Sequence, residues 1–400
     1  MARTCFSTIA GLLSVVGLVF SPAKLPAQTI KIGVINSYTG FLAESADEAQ
    51  KGIDLYVKEH SKDLPPGVKV ELLRRDDMSN PEVGKRVAQE LITRDHVQLL
   101  TGIILSPVAA AVAPLTAQAK VPLVISGAGA GVAIPRISPY VVRVTFTLWQ
   151  EAYPEGKWAA EQGWKRAYTA VTDFIAGHDA EAGFTKAFTD AGGKIVGADR
   201  FPPANPDFTP FVQRIKDAKP DVAYIFVPSG TQAPAMMRAI SDLGLAAAGI
   251  RIASTQDLVP DEELPNMGDM PLGLITAGTY SVVGQRPANA AFLEAWRREY
   301  GDGVIPNVFS VDGWDGMTMI FDMIEATKGN FTADQAMAFF KNWKDPDSPR
   351  GPIAIDPATR EIVQNIYIRR VEKVDGKLAN VEISTIPMVK DPWKALNPEK

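Results

Sequence analysis

The chain has 400 residues, 46% of them hydrophobic, with 41 basic against 46 acidic side chains and a single cysteine. That is enough apolar material for large cores and a length that suits two domains better than one. The formal charge of −5 argues against a nucleic acid as partner, and one cysteine excludes a disulfide framework or a thiolate metal site.

Residues Phe6 to Phe20 are the only long apolar run; they follow Arg3 and lead through Pro22 to the small residue Ala27. This is the pattern of a secretory signal peptide over residues 1–27, with Ala23 as the alternative cleavage point. The run is short for a membrane span, and nothing later approaches the ~20 apolar residues that a spanning helix needs. Cys5 precedes the run and so is not placed as a lipoprotein cysteine. Cleavage removes Arg3 and Lys24 and no acid, taking the formal charge to −7. The expectation is an exported, cysteine-free protein that is not membrane-spanning.

The mature chain opens with a strand over Thr29 to Ile35, then a turn holding Tyr38 and Phe41, then a helix from Ala43 to His60 with Ile53, Tyr56 and Val57 on one face. A second strand, Val68 to Leu73, and a helix begun by Asn80-Pro81 follow. Val97 to Val132 then reads as strand (Val97 to Leu100), polar turn, helix (Val108 to Gln118), strand (Lys120 to Ser126) and small-residue loop. Ser106-Pro107 has the chemistry of a helix start, hydroxyl first and ring second. In the loop Gly127-Ala128-Gly129-Ala130-Gly131 backbone N–H groups can approach a ligand closely. Both turns fall at the carboxyl ends of parallel strands, the edge at which open α/β sheets bind ligands, and a helix start favours an anion such as a carboxylate. A phosphate loop is excluded because Gly-Lys-Ser/Thr does not follow, and a dinucleotide fingerprint because the residue three beyond Gly129 is Val132.

A strand over Val141 to Thr145 leads into Phe146-Thr147-Leu148-Trp149, where the chain is expected to cross to a second lobe. The alternation then restarts: strand Ala167 to Thr172, helix Glu181 to Ala191, strand Lys194 to Phe201, helix Phe208 to Ala218, strand Asp221 to Val227, helix Ala233 to Leu243, and strands Arg251 to Ser254 and Leu274 to Thr279. Helices over Ala288 to Tyr300, Val311 to Lys328 and Ala333 to Trp343 are expected to return to the first lobe. Strands at Gly351 to Ile355 and Val363 to Val371 precede a tail from Pro387 lying on a surface. The class predicted is α/β: two doubly wound parallel-sheet lobes joined by a three-segment hinge. The lobes are 28–145 with 281–350, and 146–280 with 351–400.

Asp207-Phe208-Thr209-Pro210 through Lys219-Pro220-Asp221, and Val311-Asp312-Gly313-Trp314-Asp315-Gly316-Met317, resemble the branched-chain amino-acid (Leu/Ile/Val-binding) type of periplasmic solute-binding protein, the receptor of an ABC importer. Ser348-Pro349-Arg350-Gly351-Pro352 with Ile355-Asp356-Pro357-Ala358-Thr359-Arg360 is similar to a subgroup whose relatives often take up aromatic acids. The resemblance covers essentially the mature chain and implies a type I periplasmic binding fold whose lobes close on a small solute. It implies Ser106 as hydroxyl donor to a ligand carboxylate, with Ala128, Gly129 and Ala130 completing that contact. It places Tyr38 and Phe41 at the first-strand turn, Trp149 at the first crossing, and Phe174, Ala176 and His178 at the first turn of lobe two. Ser229 and Gly230, Gln256 and Asp257, and Tyr280 at the second crossing complete the expected cleft. Each aromatic among these can equally be a core residue.

One departure bears on the ligand. The family commonly has Tyr-Gly where this chain has Ala176-Gly177, which leaves volume for a larger body, whereas Asp257 can accept an amino group. An aromatic carboxylate, favoured, and an apolar amino acid or amide both stay open. Catalysis is not expected: the histidines are His60, His96 and His178, and no G-x-S-x-G, H-E-x-x-H or EF-hand pattern occurs. No cofactor and no metal are expected. The partners implied are an ABC permease and its ATPases, with a ligand-sensing receptor as the alternative and a periplasmic location for either.

Overall fold

A computed structural model describes residues 1, 28–131 and 134–398; the signal-peptide expectation lies outside these residues. The chain order is β1 (Gln28–Asn36), α1 (Ala43–His60), β2 (Val68–Asp76), α2 (Pro81–Thr93), β3 (Leu99–Gly102), α3 (Ser106–Ala119), β4 (Leu123–Ile125), α4 (Ile134–Ile137) and β5 (Val141–Arg143). There follow α5 (Leu148–Glu161), β6 (Arg166–Thr172), α6 (Ile175–Asp190), β7 (Lys194–Phe201), α7 (Thr209–Ala218), β8 (Val222–Phe226), α8 (Gln232–Asp242), β9 (Arg251–Thr255) and β10 (Ile275–Gly278). Then come α9 (Pro287–Tyr300), α10 (Val308–Thr327), α11 (Ala333–Phe340), β11 (Lys344–Asp345), β12 (Ile353–Ile355), β13 (Ile362–Val374), β14 (Lys377–Val389) and α12 (Pro392–Leu396).

Two sheets result. The first runs β2-β1-β3-β4-β5, every pairing parallel. The second carries parallel β7-β6-β8-β9-β10 and is extended by antiparallel β13, which also pairs with β12 and β14. Their central strands are apolar and buried on both faces, as parallel strands covered by helices must be: Leu99 and Leu100 in β3 and Val222 to Phe226 in β8 are at most 2% exposed.

The returning helix α10 lies against α1 so closely that neither can carry a side chain at the crossing. A Cβ on Gly52 would stand 1.9 Å from Ser310 O, and one on Gly313 2.2 Å from Ala49 O. This accounts for one glycine of the Val311–Met317 motif. Its acids serve the hinge. Arg350, wholly buried on the third crossing, donates to Val144 O of the first crossing (2.6 Å) and pairs with Asp312 (2.5 Å) and Asp315 (2.8 Å) of α10. Just beyond the second crossing the part-buried Arg286 pairs with Glu382 (2.8 Å) and donates to Pro349 O (3.0 Å), so ion pairs and hydrogen bonds tie the three crossings together.

Several elements differ from the sequence reading. Helix α5 stands where no element is predicted; Pro154 interrupts its pattern and Glu151 and Glu155 point inward, but Thr147 and Gln150 form a capping box that starts it. Helix α6 begins at Ile175 rather than Glu181. Strand β4 begins at Leu123, because Lys120 is the left-handed residue that ends α3 (φ 52°). The chain beyond Val371 forms a hairpin, its turn made by Asp375 and Gly376 at φ 51° and 80°, and β14 runs through Pro387 to Val389. The tail does not merely lie on a surface. Asp391 and Lys394 are buried, and Lys394 Nζ stands 3.5 Å from the buried Glu361 carboxylate, which also faces Arg143 at 3.3 Å.

Candidate functional site

The carboxyl ends of the two sheets face each other across a cavity of about 40 Å³. The first lobe contributes Leu42, which caps α1, and Ser45 of α1, the Ile104 to Ser106 turn after β3, and Gly127 and Gly129 after β4. The second contributes Phe174, Ala176, Phe226, Pro228, Ser229 and Asp257, while Phe146 and Leu148 come from the first crossing and Phe309 from the head of α10.

One pole is polar because of how β3 ends. Gly102 and Ile103 both take positive φ (90° and 57°), an uncommon conformation for a β-branched residue, and the resulting kink aims the start of α3 into the cavity. The cap of α3 is Leu105, which makes no side-chain capping bond, so Ser106 is not the N-cap that its chemistry predicts. Its Oγ instead accepts the Ala130 N–H at 3.1 Å, across the small-residue loop. A hydroxyl that has accepted an N–H keeps its own proton to donate, so Ser106 can bind an anion. Gly129 must be glycine: a Cβ there would meet Phe146 Cε2 at 2.6 Å and Leu148 Cδ2 at 2.9 Å, while its carbonyl accepts the Leu148 N–H at 2.8 Å.

The opposite pole belongs to the second lobe. Asp257 is 6% exposed; Thr255 Oγ1 donates to its Oδ2 at 2.9 Å, and Ser229 Oγ stands 3.4 Å from its Oδ1. Burial pushes this carboxyl up to about 6, with the Thr255 and Ser229 hydroxyls holding it lower than burial alone would. Between the poles the walls are aromatic. Phe174 and Phe226 lie 6.1 Å apart, Phe41 meets Phe174 edge-on at 6.3 Å, and Phe146 faces Phe309 at 6.1 Å.

Of the residues expected at the cleft, the cavity brings together Ser106, Gly129, Phe174, Ala176, Ser229 and Asp257. The others lie elsewhere. Tyr38 turns to α1 and donates to Gln50 Oε1. Phe41 stands one layer behind Phe174. Ala128 and Ala130 are wholly buried, and the Ala130 N–H is already committed to Ser106. Trp149 lies along α5 stacked with Tyr153 (6.4 Å). His178, on the first turns of α6, is half-exposed and meets Asp173 at 2.8 Å. Gly230 (φ 96°) lies against Glu44 of α1, and Gln256 is drawn under the second sheet by Glu151 (2.5 Å) and Thr279 N (3.0 Å). Tyr280 is fully buried in the hinge, bonded to Asn289 at 2.9 Å.

Phe146, Phe309, Leu42, Ser45 and Phe226 line the cavity without having been anticipated. Phe146 had a local signal, its place at the first crossing. Phe309 had none, since only the packing of α10 on α1 carries it to the cleft. Among the described residues no group of three or more His, Cys, Asp or Glu is arranged to hold a metal, and no helix is long and apolar enough to cross a membrane.

Residues 29–377 match the family model described as periplasmic binding protein. The Leu/Ile/Val-binding protein homolog 6 of Brucella melitensis is 40% identical over 370 residues, 92% of this chain and 94% of that one. A solute-binding protein of an ABC transporter from Rhodopseudomonas palustris BisB5, solved with 3,4-dihydroxybenzoic acid, is 43% identical, with a TM-score of 0.87 over 92% of this chain and 99% of its own. Its counterpart from strain HaA2, solved with p-hydroxybenzoic acid, is 41% identical, with a TM-score of 0.88 over 92% and 100% of the two chains. The two lobes, their parallel sheets and the three-stranded hinge are thus those of a type I periplasmic binding protein, and the chain belongs to the periplasmic binding protein family.

Proposed function

We propose that this protein is the extracytoplasmic receptor of an ABC importer and captures an aromatic carboxylate between its lobes. The observation that carries this reading is a cavity with phenylalanine walls and a hydroxyl at one pole, Ser106, opposed by a carboxyl at the other, Asp257. Ser106 at the head of α3 holds the ligand carboxylate by a charge-assisted hydrogen bond. Phe146, Phe174, Phe226 and Phe309 enclose the ring, whose faces and edges suit offset and edge-on packing. Asp257, with Ser229 beside it, accepts a ring hydroxyl where the ligand has one. The solved relatives with hydroxybenzoic acids support this. The space of about 40 Å³ is smaller than the ~150 Å³ of an engineered cavity that admits benzene, so the lobes open to take the ring and close around it.

The lobes are residues 28–145 with 281–350, and 146–280 with 351–400; the placing of β1 to β5 in one sheet and β6 to β14 in the other supports these bounds apart from β11, which lies at 344–345 and joins the second sheet. The protein delivers its solute to a permease and its ATPases, performs no catalysis, and reaches the periplasm by its signal peptide.

A second reading is favoured by Asp257 itself: an apolar amino acid whose ammonium meets that carboxylate. The two separate in one experiment, a calorimetric comparison of 4-hydroxybenzoate and leucine with the wild type and Asp257→Asn. The aromatic reading expects 4-hydroxybenzoate to bind and to weaken about tenfold in the variant, for one hydrogen bond to a charged group. Leucine binding alone, abolished by the substitution, overturns it.

A further inference from the structure

Outside the solute cavity, two carboxyl groups from opposite lobes meet at one helix end. Asn307 caps α10, its Oδ1 accepting the N–H groups of Phe309 (2.8 Å) and Ser310 (3.2 Å), and Ser310 Oγ closes the box on the Asn307 N–H (3.1 Å). The same two side chains also reach outward. Ser310 Oγ donates to Glu48 Oε2 of α1, in the first lobe, at 2.8 Å. Asn307 Nδ2 donates to Glu262 Oε1, in the segment between β9 and β10 of the second lobe, at 2.5 Å. The helix head, which belongs with α1, thus holds an acid of its own lobe and an acid of the other.

The surroundings of Glu262 are acidic. Glu48 faces it from α1 and Asp261 precedes it on its own segment. The cation beside Glu48, Lys51, is committed to Glu48 (2.7 Å) and Asp47 (2.9 Å). Asp261 is itself held by Asn380 at 2.9 Å. One turn earlier on α1, Glu44 lies beside Gly230 and feels the charge of Glu263, so the mouth of the cleft brings acids of both lobes together again. The second oxygen of Glu262 is buried with no hydrogen-bond partner among the described residues, a poor place for a full charge.

We infer that Glu262 is a positioning residue for solute capture: its neutral carboxyl accepts the Asn307 N–H and holds the second lobe, whereas its ionised form, although it accepts that bond more strongly, sets a buried, half-partnered charge against Glu48 and releases the lobe. Burial, with Glu48 and Asp261 adding to it, pushes this carboxyl up to about 8, so the latch is engaged at neutral pH and fails as the pH rises past that value. The inference rests on the two-lobed capture reading, but not on which solute is captured.

The test measures benzoate affinity from pH 6.5 to 9.5 for the wild type, Glu262→Gln and Glu262→Ala. Benzoate is used because it does not titrate in this range. The wild type is expected to bind about tenfold more weakly at pH 9 than at pH 7, one proton being linked to closure. Glu262→Gln keeps a bond to Asn307 without a charge, so it should match the wild type at pH 7 and show no pH dependence. Glu262→Ala, which has neither the bond nor the charge, should bind several-fold more weakly than the wild type at pH 7 and show no pH dependence. A wild-type affinity that does not change with pH, or a slope that persists in Glu262→Gln, overturns the latch. If benzoate fails to bind even at pH 7, the aromatic-acid reading is what fails, and small-angle scattering then judges the latch. In that case the wild type should expand between pH 7 and pH 9 while Glu262→Gln does not, and equal behaviour of the two overturns the inference.

Discussion

Ser106→Ala removes one oxygen that has two roles, and the two separate by measurement. The hydroxyl accepts the buried Ala130 N–H at 3.1 Å, which leaves its own proton to donate into the cavity it lines, where the account places the solute carboxylate. Losing a hydrogen bond to a charged group costs about 1.5–3 kcal/mol of binding, a fall in affinity of roughly 10- to 150-fold. Leaving the Ala130 N–H without an acceptor costs about 1–3 kcal/mol of stability. Calorimetry gives the first quantity and urea unfolding the second. Ser106→Thr keeps the hydroxyl and should retain most of both. If Ser106→Ala loses stability yet binds every aromatic acid as the wild type does, the hydroxyl only braces the glycine loop and the carboxylate site lies elsewhere.

Three other perturbations follow from the geometry. Gly129→Ala forces a methyl within 2.6 Å of Phe146 and 2.9 Å of Leu148; such overpacking should cost about 1–3 kcal/mol in urea unfolding and weaken aromatic-acid binding, because both neighbours line the cavity. Arg350→Ala leaves Asp312 and Asp315 buried without their cation, for an expected loss of about 3–5 kcal/mol in the same assay, and a loss under 1 kcal/mol would refute the hinge clamp. Asp257 is raised from 3.8 to about 6, and Glu151 and Glu155, buried under the second sheet, are also pushed up. These groups take up protons more readily folded than unfolded, so their contribution is fully present below the ordinary carboxylate range and is lost as the pH rises through their folded values. The ligand-free protein should therefore melt higher at pH 5 than at pH 8, and the reverse order would contradict the buried, weakly paired state of these acids.

The strand and helix alternation was legible because parallel strands covered on both faces are short apolar runs between turn residues, as Leu99 to Gly102 and Val222 to Phe226 are. Helix α5 was hidden by its composition. It buries Glu151 and Glu155 and carries Pro154, so it has no ordinary amphipathic stripe, and only the Thr147–Gln150 capping box announces it. The second arm of the C-terminal hairpin had an Asp375-Gly376 turn to mark it, a local signal passed over. Among the residues that line the cavity, those set by strand ends are ones the sequence also points to: Ser106, Gly129, Ser229 and Asp257 each follow a strand of the sheets. Aromatics were harder, because a ring's direction depends on its packing. Tyr38 turns to Gln50 and Trp149 to Tyr153, while Phe309 arrives from a helix more than 150 residues beyond the first crossing.

The central claim is that the cleft takes an aromatic carboxylate, and calorimetric titration of the ligand-stripped protein with 4-hydroxybenzoate and with leucine tests it most directly. The account predicts saturable binding of 4-hydroxybenzoate at one site per chain, with leucine at least a hundredfold weaker. Tight binding of leucine without binding of the aromatic acid would contradict it.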